Sequence, residues 1–408
     1  MGIKFRLIVM NFLQYAVWGA WLISLGAYLG NTLKFDGLQI GSFFATMGIA
    51  SLFMPAVMGI IADRWIPAQR LLGLCHLFAA GFITLAATRT DYNSLYTLVL
   101  LSVMFYMPTI ALSNSVAYNA LEKAGLDTVT HFPPIRVWGT VGFICAMWVV
   151  DLGKMGLSAT QLYFSATLGL ILGLYSFTLP NCPINRSGGG KSIVDLLGLR
   201  AFALFKQRKM AIFFIFSMLL GMSLQITNAF ADGYIKSFGD TGIHGAKYLG
   251  TFGVEHSTIL ISLSQISETL CILLIPFFLK RFGIKRVMLI AMFAWVLRFA
   301  LLGAGNPGPG VWMFILSMIV YGVAFDFFNI SGSLFVEKET SAAIRSSAQG
   351  VFMIMTNGLG ALIGSYLAGW VVNHYGWPLS WYLFAGFSLV VAIVFAVIFK
   401  YKHDPNRI

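Results

Sequence analysis

The chain has 408 residues, 58% of them hydrophobic and only 10% charged, with a mean hydropathy of +0.81. Soluble domains carry about 25% charged residues, so this composition excludes a soluble fold and leaves no room for a soluble catalytic domain. The formal charge of +12 does not mark a nucleic-acid binder, because a basic patch for nucleic acid needs a soluble face.

Apolar runs of the length needed to cross a bilayer, about 20 residues, recur from end to end. We read twelve, which predicts an all-α membrane protein with twelve transmembrane helices. The first run follows MGIKFRL, spans about 6–30 and contains Gln14, Tyr15 and Trp18. It is too long for a signal peptide and lacks a small-residue cleavage site. Span two covers about 38–61, and the tight loop GIIADRWIPAQR runs from Gly59 to Arg70. Spans three (about 70–89) and four (about 94–118) follow. A loop then holds Glu122, Lys123, Asp127 and the Pro133-Pro134 pair. Span five opens near Ile135, and span six covers about 160–180.

Composition shifts over 181–209, where Pro, a Ser187 to Gly190 run and basic residues form the one linker. Within it Ile193, Leu196, Leu197, Ala201, Leu204 and Phe205 predict an amphipathic helix lying in the membrane interface. The linker separates a six-helix half, 1–180, from a second, 210–408. The second half repeats the plan, with spans at about 210–236, 256–279, 286–304, 311–335, 343–372 and 378–400. The loop from Ser237 to Glu255 is the longest external segment. A weak internal repeat relates GIIADRWIPAQR to PFFLKRFGIKR (Pro276 to Arg286), and Ile135-Arg136 to Ile344-Arg345. Paired six-helix repeats are a mark of secondary transporters, whose substrate site lies between the repeats.

Of the 27 Lys and Arg, Lys34, Arg89, Lys154, Lys236 and Lys247 fall on one side of this topology and Arg298 within a span. The rest gather on the other side, which places both termini in the cytoplasm. The cysteines Cys75, Cys145, Cys182 and Cys271 are scattered without metal or disulfide spacing, so no metal site is expected.

Polar groups inside the spans carry the sharper signal. Gln225 and Asn228 are three apart in span seven, and Gln265 and Glu268 repeat that spacing in span eight, so each pair shares a helix face. In span ten Tyr321, Phe325 and Asn329 run at i, i+4, i+8, with Asp326 beside Phe325. In span five Arg136, Thr140 and Phe143 run at i, i+4, i+7. Amides suit a base edge or a sugar hydroxyl, and aromatic rings offer a face for stacking. Amides also join helices in bundles, an alternative that stays open. An ionisable group within the membrane is a functional-site hypothesis by default. Glu268 and Asp326 are therefore the candidate proton carriers, with Arg136 as counter-charge. Arg298 reads as a structural charge with an unknown partner. Asp232 reads as lining the outer end of span seven or as a solvated helix end.

Gly59, Asp63, Arg64 and Arg70 resemble the loop signature of the major facilitator superfamily, in which the Gly permits close helix approach and the Asp latches onto helix ends. The match departs at Trp65 to Gln69, and the second copy carries Lys280 where an acid is expected. Five stretches carry a closer resemblance: FPPIRVWGT (132–140), AIFFIFSMLLGMSLQITN (211–228), SQISETL (264–270), AWVLRFAL (294–301) and SMIVYGVAFDFFNISGSLFVEKE (317–339). In these the chain resembles the bacterial nucleoside:proton symporters of the major facilitator superfamily, over nearly its whole length. The resemblance implies a non-enzymatic, cofactor-free carrier of the bacterial inner membrane, a monomer, importing nucleosides by proton-coupled alternating access. It implies a substrate site at Arg136, Thr140, Phe143, Gln225, Asn228, Gln265, Glu268, Tyr321, Phe325 and Asp326. Members of the family differ in taking pyrimidine nucleosides, purine nucleosides or xanthosine. Two alternatives are a carrier of the same fold for another polar solute such as a sugar, and a nucleoside sensor without transport.

Overall fold

The computed structural model describes residues 2–184, 199–240, 246–341 and 344–401. Among them the secondary structure is helical, without strands. A span in hydrocarbon must satisfy its own backbone, and a helix does so within one segment. The spans are α1 Ile3–Gly19, α2 Gly37–Arg64, α3 Ala68–Ala87, α4 Tyr92–Lys123, α5 Thr128–Leu152, α6 Thr160–Ser176 and α7 Arg208–Ser237. They continue with α8 (257–282), α9 (284–304), α10 Val311–Glu339, α11 Ser347–Tyr375 and α12 Leu379–Ile398. Nine helices among the described residues are long and apolar enough to cross a membrane. One of these, Ser257–Ala304, is α8 and α9 joined at Gly283, whose φ of 76° breaks the helix where the loop was expected. Two further spans, α1 and α6, are helical over 17 residues each. The twelve expected helices are therefore all present.

The chain forms two compact units, Met1–Phe35 with Thr46–Leu197 and Asp36–Ala45 with Gly198–Ile408. In the first, α1 packs on α5, and α3 packs on α4 and α6. Glycines allow the close crossings: a Cβ at Gly142 would strike the Phe12 backbone, and one at Gly19 the Phe143 backbone. Small residues at crossings are how membrane helices gain packing without a hydrophobic drive between them. In the second unit α8, α9 and α10 form the tightest group. A Cβ at Gly322 of α10 would lie 2.6 Å from the Ser267 carbonyl oxygen of α8. Phe213, Phe335 and Phe352 cluster with ring centroids 4.6 and 5.4 Å from Phe213.

Four local features differ from the sequence expectation. Span one leaves the α-helix at Gly19 rather than running unbroken to 30, and continues through turns and a short α-helical piece, Leu25–Ala27, into a π-helical piece, Tyr28–Thr32. Pro133 and Pro134 lie inside α5 rather than in a loop, because Asp127 caps the helix earlier, accepting from Thr130 N at 2.8 Å. As the sixth and seventh helical residues they lie beyond the first turn, so each removes one i→i−4 hydrogen bond from the helix. Span eleven contains a π-helical stretch, Ile354–Gly360. The amphipathic helix expected over 193–205 lies mostly outside the described residues, and its described end, Leu199–Lys206, is a 3-10 helix.

Candidate functional site

In the first unit α5 carries Arg136, Thr140 and Phe143 along the side that packs on α1. Arg136 stacks its guanidinium 3.9 Å from the Tyr15 ring centroid. Gly139 makes room, since a Cβ there would lie 2.5 Å from the Tyr15 ring. Phe143 is buried and meets Trp18 edge-on at 6.3 Å. Trp18 also leans on Tyr106, at 5.8 Å. Beneath this aromatic layer lies a buried polar chain that sequence reading passed over. Gln14 donates to Thr109 Oγ1 at 2.7 Å and faces His76 Nε2 at 2.8 Å, while the Tyr106 hydroxyl donates to the Gln14 carbonyl at 2.7 Å. His76 and Gln14 have no solvent exposure, so the chain fixes the α1 register from which Tyr15 and Trp18 project. An isolated histidine in an apolar run was the one signal that could have revealed it.

In the second unit Asn228 Nδ2 approaches Gln225 Oε1 at 3.4 Å on α7, so those two do share a face. On α10 Tyr321 and Phe325 stack 5.6 Å apart at an interplanar angle of 5°. Trp295 meets Tyr321 edge-on at 6.0 Å. Asp326 is buried, and its Oδ2 has no hydrogen-bond partner. Glu268 is half-buried and lies close enough to Asp326 and Tyr321 to interact electrostatically. Gln265 beside it presents a buried Oε1 without a partner. The structure thus brings Glu268, Tyr321, Phe325 and Asp326 into one group.

Arg298, which the sequence left without a partner, belongs to this group as its support. It is 2% exposed and donates from Nη1 to the Ser317 carbonyl at 2.6 Å. Its guanidinium carbon stands 4.7 Å from the Tyr321 ring centroid. A cation over an aromatic face gains most when both are desolvated. Asp232 is neither solvated nor an open lining group. It is 1% exposed, pairs with Lys236 at 2.7 Å, and accepts from Ser257 at 2.5 Å and Thr258 at 3.1 Å. It clamps α7 to the start of α8.

The loop motif is placed at the α2–α3 turn. Asp63 and Arg70 are exposed and Arg64 is half-buried. A Cβ at Gly59 would meet no atom of the described residues within 4 Å. Among the described residues no group of His, Cys, Asp and Glu is arranged to hold a metal.

Comparison with known proteins identifies the relatives of this chain. The family model described as Nucleoside H+ symporter matches residues 1–404. The nucleoside permease NupG of Escherichia coli (strain K12) is 50% identical over 410 residues, covering 99% of this chain and 97% of that protein. The xanthosine permease of the same organism is also 50% identical, over 415 residues, covering 100% and 98%. Crystal structures of the nucleoside transporter NupG and of a mutant of it superpose with TM-scores of 0.91 and 0.94, at 51% and 50% identity, each covering 98% of this chain and 100% of that one. A D-xylose-proton symporter shares the fold alone, at 13% identity and a TM-score of 0.73. With its twelve helices and its two helical units, this chain belongs to the nucleoside H+ symporter family.

Proposed function

We propose that this protein imports nucleosides together with protons across the bacterial inner membrane, as a monomer with both termini in the cytoplasm. It needs no cofactor, and the proton gradient supplies the energy. The observation that carries the reading is the face of α10, where a stacked aromatic pair, Tyr321 and Phe325, adjoins a buried carboxylate with a free oxygen, Asp326. A ring held against Phe325 and Phe143, with its hydroxyls and base met by Gln225, Asn228 and Gln265, suits a nucleoside. Arg136 and Thr140 complete the polar lining, with Arg136 as the cation that balances the acids.

In this reading the halves 1–180 and 210–408, joined by 181–209, alternate access to that site. Protonation of Glu268 or Asp326 permits the loaded carrier to turn inward, and release to the cytoplasm resets it. Asp63, with Gly59, Arg64 and Arg70, latches the cytoplasmic side when it is shut. One proton moved through 100 mV supplies ~2.3 kcal/mol, which corresponds to roughly fifty-fold accumulation. The half-identity to both a nucleoside permease and a xanthosine permease keeps purine and pyrimidine substrates equally in view.

The test is uptake of labelled uridine, adenosine and xanthosine into proteoliposomes, with and without an imposed proton gradient. Gradient-driven accumulation that a protonophore abolishes is expected. Absence of both uptake and exchange for every nucleoside would sink the proposal, and binding without flux would favour a sensor. Asp326→Asn and Glu268→Gln divide the roles: the variant that carries the proton should lose accumulation while keeping counterflow exchange. If both concentrate substrate normally, neither acid couples.

A further inference from the structure

A narrow cleft in the second unit runs between α7, α9, α10 and the π-helical stretch of α11. Its walls include Trp295, Phe325 and Phe328, and its polar side chains are Asn329, Thr356 and Asn357. Thr356 is already used, since its hydroxyl donates to the Phe352 carbonyl at 2.9 Å. The two amides are not. Among the described residues Asn329 makes no side-chain hydrogen bond, and Asn357 makes only a 3.8 Å approach from Nδ2 to Met353 Sδ. Both are half-buried. Amides that serve as glue between membrane helices pair across the interface, and these do not. Half-buried amides that face a cleft instead of each other keep their donors and acceptors available to a polar ligand.

The backbone holds Asn357 in place. A π-helical turn inserts an extra residue and re-aims the side chains that follow, and such turns recur at functional sites. Gly221 of α7 packs so closely here that a Cβ would collide with the Thr356 backbone. A Cβ at Gly360 would lie 2.6 Å from the Met218 carbonyl oxygen. The residue before Asn357 and the end of the π stretch are thus both seated on α7. On the other wall Asn329 stands one turn beyond Phe325, whose ring already stacks on Tyr321.

We propose that Asn329 and Asn357 are the base-reading residues of the nucleoside site, hydrogen-bonding the polar edge of a heterocycle that lies against Phe325 and Phe328. This rests on the nucleoside reading given above and adds which side chains discriminate among bases. A side-chain amide offers both donors and an acceptor, so the pair accommodates the edges of uracil, cytosine and adenine, each in its own orientation.

The experiment measures binding of uridine, cytidine, adenosine and 2′-deoxyuridine to purified wild type, Asn329→Ala and Asn357→Ala. A well-formed amide-to-base contact discriminates by about five-fold or more. Each variant should therefore change the uridine-to-cytidine or uridine-to-adenosine affinity ratio by that factor, leaving the uridine-to-2′-deoxyuridine ratio within about two-fold. If an alanine variant does not purify as a folded protein, the near-isosteric Asn329→Asp and Asn357→Asp changes carry the same test. They accept without donating, so preference should move toward the amino-bearing bases of cytidine and adenosine. Uniform weakening for all nucleosides, a change confined to the deoxyribose ratio, or no change would each overturn the proposal while leaving nucleoside transport intact. Failure of the wild-type protein to bind any nucleoside would overturn the transport reading and this proposal with it.

Discussion

Arg298 is the residue whose meaning changes most between sequence and structure. A charge buried in a span needs partners, and here they include the Ser317 carbonyl, the Ser264 hydroxyl and the face of Tyr321. The guanidinium, Tyr321 and Phe325 form one stacked column, so the ring proposed to meet substrate is backed by a fixed cation. Arg298→Ala should leave a cavity and the Tyr321 ring unsupported, at a cost of about 2–4 kcal/mol, read as a lowered Tm in detergent. Arg298→Lys keeps the charge but not the planar stack, and an intermediate Tm is expected. A wild-type Tm for both variants would show that the column bears no weight. Asp326 was conspicuous in the sequence because a lone acid stands out in an apolar run. Asn357 was not, since an amide without a periodic partner declares no face until the π-helical turn is seen.

At the scale of elements, glycine placement and capping decide how the helices meet. Gly142 lets α5 lie on the α1 backbone at Phe12. Gly142→Ala puts a methyl group where a carbonyl already lies, and overpacking of that kind costs about 1–3 kcal/mol. A Tm unchanged by Gly142→Ala would show that the crossing is looser than the contact implies. Gly59 and Gly350, by contrast, have open space around a Cβ, and alanine there should be neutral for stability. At the start of α4, Asp91 accepts from Ser94 N at 2.9 Å. The Ser94 hydrogen bonds hold its carboxyl below the usual carboxylate range. A depressed carboxylate contributes stability that is present at neutral pH and is lost as pH falls through its folded value. Asp91→Asn should therefore remove a small part of the acid sensitivity of melting as pH is lowered from neutral through the carboxylate range. An identical pH dependence in wild type and variant would assign no such role to the cap.

At the scale of the whole molecule, the twelve spans were legible because hydrocarbon imposes length and apolarity on every crossing helix. The strips on spans five, seven, eight and ten were legible for the related reason that polar groups at such depth are rare. Less was legible where local sequence permits two outcomes. The apolar run of span one gave no sign that the α-helix stops at Gly19, because hydropathy does not register backbone geometry. Asp232 was equally ambiguous, since its Ser257 and Thr258 partners lie on another helix. The Gln14–His76–Thr109 chain joins α1, α3 and α4, a contact set that no single helix periodicity contains.

Composition and periodicity alone determined the membrane class and the number of crossings, and they marked Glu268 and Asp326 as acids inside spans. Each of these follows from free energies of transfer that act residue by residue along the chain. Tertiary structure decided which of those polar groups meet, that Arg298 supports Tyr321, that Asp232 is a buried clamp, and that Asn329 and Asn357 stand in one aromatic cleft. Those outcomes depend on the rotation of each helix about its axis and on close backbone approach at a few glycines. Both are set by packing between segments far apart in the chain.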